Sequence, residues 1–183
     1  MNEKYVAVAE GSSSKPHGEA IIYLYNVETK KAMGKLTTHT KGIQSMCFSF
    51  DNRYLVTLGT QGDDLLVVWD ITSGKVLRSA PVGGNTMNQV KMDPFVDQGH
   101  LQFVTVGNNA SLTIWRLDVK ENQLVNFEVG VPDRLQNVHF LSVEFTQLLP
   151  APAGTYYIVM GASDGSIIAY DNQRQEYVDI GTR

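Results

Sequence analysis

Cysteine is nearly absent from these 183 residues, and the one thiol, Cys47, leaves nothing within the chain to pair with. A disulfide-held scaffold is therefore excluded. Cys47 lies in the apolar run from Ile43 to Phe50, where a small buried thiol is expected rather than a nucleophile. No apolar run approaches the roughly 18 to 20 residues that cross a bilayer. The opening MNEKYVAVAEG turns acidic before a secretory core can form. Together these lead to the expectation of no membrane partner and a cytoplasmic location. Basic charge is also scarce: 15 Lys and Arg stand against 19 Asp and Glu, for a net charge of -4. The cations are scattered, so no stripe exists to neutralise a phosphate backbone, and no nucleic-acid partner is expected.

Sites for metals and phosphates are missing too. The four histidines, His17, His39, His100 and His139, show no HxH or HExxH spacing and have no cysteine partners. Asp51, Asp63, Asp64 and Asp93 do not alternate over a calcium loop that ends in Glu. Gly83-Gly84 and Thr72-Ser73-Gly74-Lys75 do not match a phosphate loop and read as turns. No metal, no cofactor and no catalytic residue is expected.

Hydrophobic residues make up 43% of the chain and charged residues 19%, which places it among folding, globular sequences. Its apolar residues form short runs rich in Val, Ile, Tyr, Phe and Thr, each ended by Gly, Asn, Asp, Ser or Pro. The runs are Tyr5 to Ala9, Ala20 to Val27, Ile43 to Phe50, Tyr54 to Gly59, Leu65 to Ile71 and Met87 to Met92, followed by Leu101 to Gly107, Ser111 to Leu117, Leu141 to Leu148, Tyr156 to Met160 and Ser166 to Tyr170. None holds a helical period. The chain is expected to be all-β and built of antiparallel meanders.

The segments IIYLYNVETKKAMGKL, LLVVWDITSGKVLRS, LTIWRLDVKENQLVN and IIAYDNQRQEYVDI resemble one another. Their aromatics, Tyr25, Trp69, Trp115 and Tyr170, are 44, 46 and 55 residues apart. A four-stranded propeller blade repeats at about 40 to 45 residues. The loop Pro150 to Gly154 accounts for the longest gap. Six positions before each aromatic stand Glu19, Asp63, Asn109 and Asp164, mostly residues that tolerate left-handed turns.

Val68-Trp69-Asp70 and the run from Asp164 to Asp171 resemble the third strand of WD40 repeats, and the resemblance covers nearly the whole chain. It implies an all-β, WD40-type β-propeller of about four blades of four-stranded antiparallel sheets, part of a larger ring of about seven blades. The expected blades are 1–37, which lacks its first strand, then 38–80, 81–129 and 130–183. It also implies that His39, Thr57, Asp63 and Trp69 form a buried hydrogen-bonded tetrad in the second blade. Gly83 stands where the third blade would carry a His, and His139 of the fourth is displaced, so the other blades should hold partial sets.

The functional expectation is a non-catalytic scaffold for protein–protein interaction. His39, Thr57 and Asp63 carry the groups of a catalytic set, but a Thr beneath a Trp in mid-strand would be buried away from any substrate. One rim should present Lys15, His17, Lys41, Asn85, Asn108 and Arg134 to a partner. The loop from Gly11 to Gly18 lengthens a connection that is tight elsewhere, which suits contact or mobility. Within the family the pattern is most similar to large tandem-propeller proteins of cilia, centrioles and microtubules, which implies microtubule or axonemal partners and a cytoskeletal or ciliary location. Two alternatives stand beside this reading. One is a half-propeller completed by another chain, the remaining half of its ring. The other is a propeller hydrolase, for which Lys91, Asp93 and Glu144 sit at unrelated positions.

Overall fold

The computed structural model describes residues 4–10, 19–84, 86–95, 99–147 and 156–181. The expected loops Gly11 to Gly18 and Pro150 to Gly154 lie outside the described residues, as do Lys15, His17 and Asn85. The chain divides into two compact units, Met1–Thr86 and Met87–Arg183.

The first unit contains β1 (Tyr5–Ala9), β2 (Ile21–Asn26) and β3 (Lys31–Thr37) as a three-stranded sheet, then β4 (Ile43–Phe48), β5 (Tyr54–Gly59), β6 (Leu65–Asp70) and β7 (Lys75–Pro81) as a four-stranded one. The second unit contains β8 (Met87–Met92), β9 (His100–Gly107), β10 (Leu112–Asp118) and β11 (Gln123–Glu128), then β12 (Phe140–Thr146), β13 (Tyr157–Ala162), β14 (Ile167–Asp171) and β15 (Glu176–Gly181). Every strand pairs antiparallel with its neighbour in sequence, so the expectation of all-β meanders holds. Among the described residues a single 3-10 turn, Asp133–Leu135, lies between β11 and β12 and was not expected from the sequence.

Sheets in each unit stack face to face. In the first, Ile22, Leu24 and Leu36 meet Leu55, Val67, Trp69 and Ile71. In the second, Val104, Val106 and Leu112 meet Phe140, Val143, Phe145, Ile158, Met160, Ile168 and Tyr170. β5, with most of β6 and β9, is covered on both sides, and every residue of β5 is buried. That is why they read as continuous apolar runs. The fourth strands are different: β3, β7 and β11 are largely exposed and carry no alternation.

Two local devices recur. The first strand of each four-stranded sheet carries a register shift near its start, at Ile43/Ser45, Met87/Gln89 and Phe140/Ser142. A bulge bends a strand and tightens its twist. The hairpin between third and fourth strands is closed by an Asp or Asn whose Oδ1 accepts backbone N–H groups two or three residues on. Asp70 accepts from Thr72 and Ser73, Asp118 from Lys120 and Glu121, Asp171 from Gln173 and Arg174, and Asn26 from Thr29. These are Asx turns.

Two expectations need correction. Cys47 is only half-buried, because it stands on β4, none of whose residues is fully covered. The left-handed residues of the β5–β6 turn are Gly62 and Asp64, not Asp63, whose carboxylate is used elsewhere.

Phe140 has no exposed surface and joins two sheets. Phe140→Ala is expected to lower the unfolding free energy by about 3–5 kcal/mol, read from urea denaturation.

Candidate functional site

The β5–β6 turn and the segment before β4 bring His39, Thr57, Asp63 and Trp69 into one chain of hydrogen bonds. The Trp69 indole N–H donates to Thr57 Oγ1 at 3.0 Å. Thr57 Oγ1 lies 2.8 Å from His39 Nε2, and His39 Nδ1 lies 2.5 Å from Asp63 Oδ2. The direction follows from donor counting. A carboxylate only accepts, so His39 donates from Nδ1 to Asp63, and Nε2 of the neutral ring accepts from the Thr57 hydroxyl, which also lies 3.4 Å from the Val67 carbonyl. Thr40 closes the far end, its N–H and hydroxyl both donating to Asp63 Oδ1, at 2.7 and 2.8 Å.

His39 and Thr57 are wholly buried and Trp69 nearly so. Burial pushes the Asp63 carboxyl upward, but the Thr40 N–H, the His39 ring and the Thr40 hydroxyl outweigh it and hold the group below its ordinary range. The His39 backbone takes part as well, its carbonyl accepting the Ala20 N–H at 2.8 Å and so tying the first sheet to the second. Gly59 makes the space: a Cβ there would lie 2.0 Å from Asp63 Oδ2 and 2.9 Å from His39 Nδ1. A glycine at the end of the second strand is the sequence signal for it, and residue-type reasoning passed over it.

The other sheets hold less of this set. Trp115 donates to Thr105 at 3.0 Å, and the two residues stand in the same register as Trp69 and Thr57. In the fourth sheet that register pairs Tyr170 with Met160, and in the first Tyr25 with Val8, neither a hydroxyl. The His139 ring accepts the Asn109 N–H at 3.1 Å, joining the third sheet's turn to the fourth sheet's approach. Asp164 caps its own turn through Ser166.

A second polar cluster, which the sequence did not reveal, joins the third and fourth sheets. Asp93 Oδ2 accepts from the Tyr156 hydroxyl and from Gln102 Nε2, both at 2.7 Å, and Asp93 Oδ1 accepts the Phe95 N–H at 2.8 Å. Arg116 donates to Gln102 Oε1 at 3.1 Å, and Asn172 to the Tyr156 hydroxyl at 2.8 Å. Burial pushes the Asp93 carboxyl up, against the Phe95 N–H, Tyr156, Gln102 and the Arg116 charge. Lys91 and Glu144, distant in sequence, pair at 2.7 Å between β8 and β12. Asp93 is not part of that pair.

The expected partner-facing residues are dispersed. Lys41 is exposed before β4 in the first unit. In the second unit Asn108 bonds Asn88 of β8 at 3.3 Å, whereas Arg134 reaches the Tyr177 carbonyl of β15 at 3.4 Å. One is at the inner edge of its sheet stack and the other at the outer. Among the described residues no group of three or more His, Cys, Asp or Glu could hold a metal, and no helix is long and apolar enough to cross a membrane.

No family profile matches the chain. It is 32% identical over 105 residues to cilia- and flagella-associated protein 52 of Chlamydomonas reinhardtii, covering 57% of this chain and 16% of that protein. Against the protein of the same name from Sus scrofa it is 28% identical over 181 residues, covering 99% and 28%. It is 22% identical over 178 residues to WD repeat-containing protein 90 of Xenopus tropicalis, covering 94% and 9%. The chain therefore spans under a third of the length of these relatives. Among solved structures it is similar to the β-propeller domain of Cps50 (Swd1) from Myceliophteria thermophila, with a TM-score of 0.66, 17% identity and coverage of 97% of this chain and 54% of that one.

Thr57→Val leaves the Trp69 N–H and His39 Nε2 without partners, whereas Thr105→Val orphans one indole. With each unpaired buried group costing about 1–3 kcal/mol, the first should lose roughly twice the stability of the second in urea unfolding. The two aspartates act in opposite directions. The lowered Asp63 contributes stability that is present above the ordinary carboxylate value and lost as pH falls through its folded value. The raised Asp93 contributes stability that is present below the ordinary value and lost as pH rises through its folded value. Asp63→Asn should therefore flatten the acid side of the stability profile, and Asp93→Asn the side just above the ordinary carboxylate value.

Proposed function

We propose that this chain, which has the WD40-type β-propeller fold and is related to ciliary and WD-repeat proteins, is a non-catalytic protein-interaction scaffold in a ciliary, centriolar or microtubule-associated assembly. The observation that carries this reading is the similarity to a cilia- and flagella-associated protein along 181 residues, nearly the whole chain. The state of its ionisable groups supports it. His39, Thr57 and Asp63 are consumed in a closed hydrogen-bond chain, Asp93 is saturated by three donors, and Lys91 is paired with Glu144. Sheets buried on both faces hold their loops and edges rigidly, which suits docking.

One observation favours a second reading, that the chain shares its ring with further blades supplied by other polypeptide. Among the described residues β1 is paired on one side only, and Val6 and Val8 on it are 44% and 49% exposed. An added strand would pair that edge. Light scattering after size exclusion tests this: a stable, monodisperse monomer would sink it.

For the leading reading, the tagged chain should concentrate at the cilium or its base in ciliated cells, and the purified chain should co-sediment with microtubules or axonemes. A chain confined to the soluble fraction in both experiments, or one with turnover in a hydrolase panel, overturns it.

A further inference from the structure

The outer strand of the third sheet carries two large apolar side chains that its fold does not use. Val125 and Phe127 of β11 are 50% and 55% exposed. They stand opposite Arg116 and Ile114 of β10, and residues paired across an antiparallel ladder share a face. That face is the one turned toward the fourth sheet, because Ile114 packs on the core that joins the two, and Arg116 bonds Gln102, which reaches Tyr156. The position of Phe127 in the other sheets, opposite the residue before the third-strand aromatic, is held by Gly34, Arg78 and Val178. A phenylalanine is thus not needed there to build a sheet.

The opposite wall is β15, where Tyr177 lies against Tyr170 and Phe140. At one end a cleft of about 360 Å³ is lined by Gly130, Val131, Pro132, Arg134 and Tyr177. Two guanidiniums mark the groove. Arg134 is exposed at the cleft, and Arg116, also exposed, is held by Gln102 beside Val125. The chemistry is cation, apolar pair, cation.

We propose that this outer groove between the third and fourth sheets docks a short segment of a partner protein in which apolar side chains are flanked by carboxylates. The inference rests on the reading of the chain as a protein-binding platform and names the chemistry of one partner. The apolar residues cover Val125 and Phe127, and the carboxylates meet Arg116 and Arg134, whose planar forks suit such acceptors.

The test uses the 183-residue chain and a fluorescein-labelled peptide bearing two aliphatic or aromatic residues at i and i+2 between glutamates. Anisotropy should show saturable binding that weakens with salt. Affinity should fall about tenfold in Phe127→Ser and in the double variant Arg116→Gln with Arg134→Gln, the loss expected of an interface anchor. Circular dichroism checks the fold, and Val125→Ser repeats the test if Phe127→Ser loses its β spectrum. The proposal is overturned by absent binding, by variants that bind as the parent does, or by equal binding of a lysine-flanked peptide. Preference for anionic vesicles, or self-association that Phe127→Ser abolishes, also overturns it. Any of these results leaves microtubule or axoneme co-sedimentation intact as a separate measure of the scaffold reading.

Discussion

A buried indole needs a partner for its N–H, and much of the second sheet is arranged around that need. Trp69 stands on a third strand that is covered on both faces, so water cannot serve it. Thr57 accepts from it; Asp63 can only accept and so takes the proton on His39 Nδ1, which leaves Nε2 of the neutral ring to accept the Thr57 hydroxyl. Each link fixes the next in direction as well as position. The result connects a strand, a turn and the approach to the sheet, and through the His39 carbonyl it reaches the first sheet as well. An apolar core sets how much surface is buried, whereas this chain sets which register and which turn accompany it.

The other sheets show how far that solution can be reduced. Trp115 and Thr105 keep the indole–hydroxyl bond without an imidazole. The fourth sheet replaces Trp by Tyr170, with Met160 in place of the hydroxyl residue, and binds its neighbour through Asp93, Tyr156 and Gln102 instead. Polar satisfaction is retained while its location moves from within a sheet to between sheets.

This pattern explains what could be read from the sequence. Tyr54–Gly59 announced itself because it is wholly buried, and Tyr5–Ala9 and Met87–Met92, only partly covered, through β-rich runs ended by turn residues; all three were delimited to the residue. The outer strands β3, β7 and β11 emerged only through the internal repeat, since solvent on their outer side erases alternation. The residues His39, Thr57, Asp63 and Trp69 could be named through the resemblance of the second blade to WD40 repeats. Gly59 was missed because its contribution is an absence of atoms. The Asp93 cluster was invisible because its members lie up to 79 positions apart, from Asp93 to Asn172, and obey no period.

Within each sheet the strands pair only with their neighbours in sequence, which also has a temporal side. Among the described residues no sheet takes a strand from a distant segment of this chain, so each hairpin can close soon after its residues leave the ribosome. Within each unit, the remaining non-local contacts come from the stacking of one finished sheet on the other. For such a chain the order of synthesis can be the order of assembly.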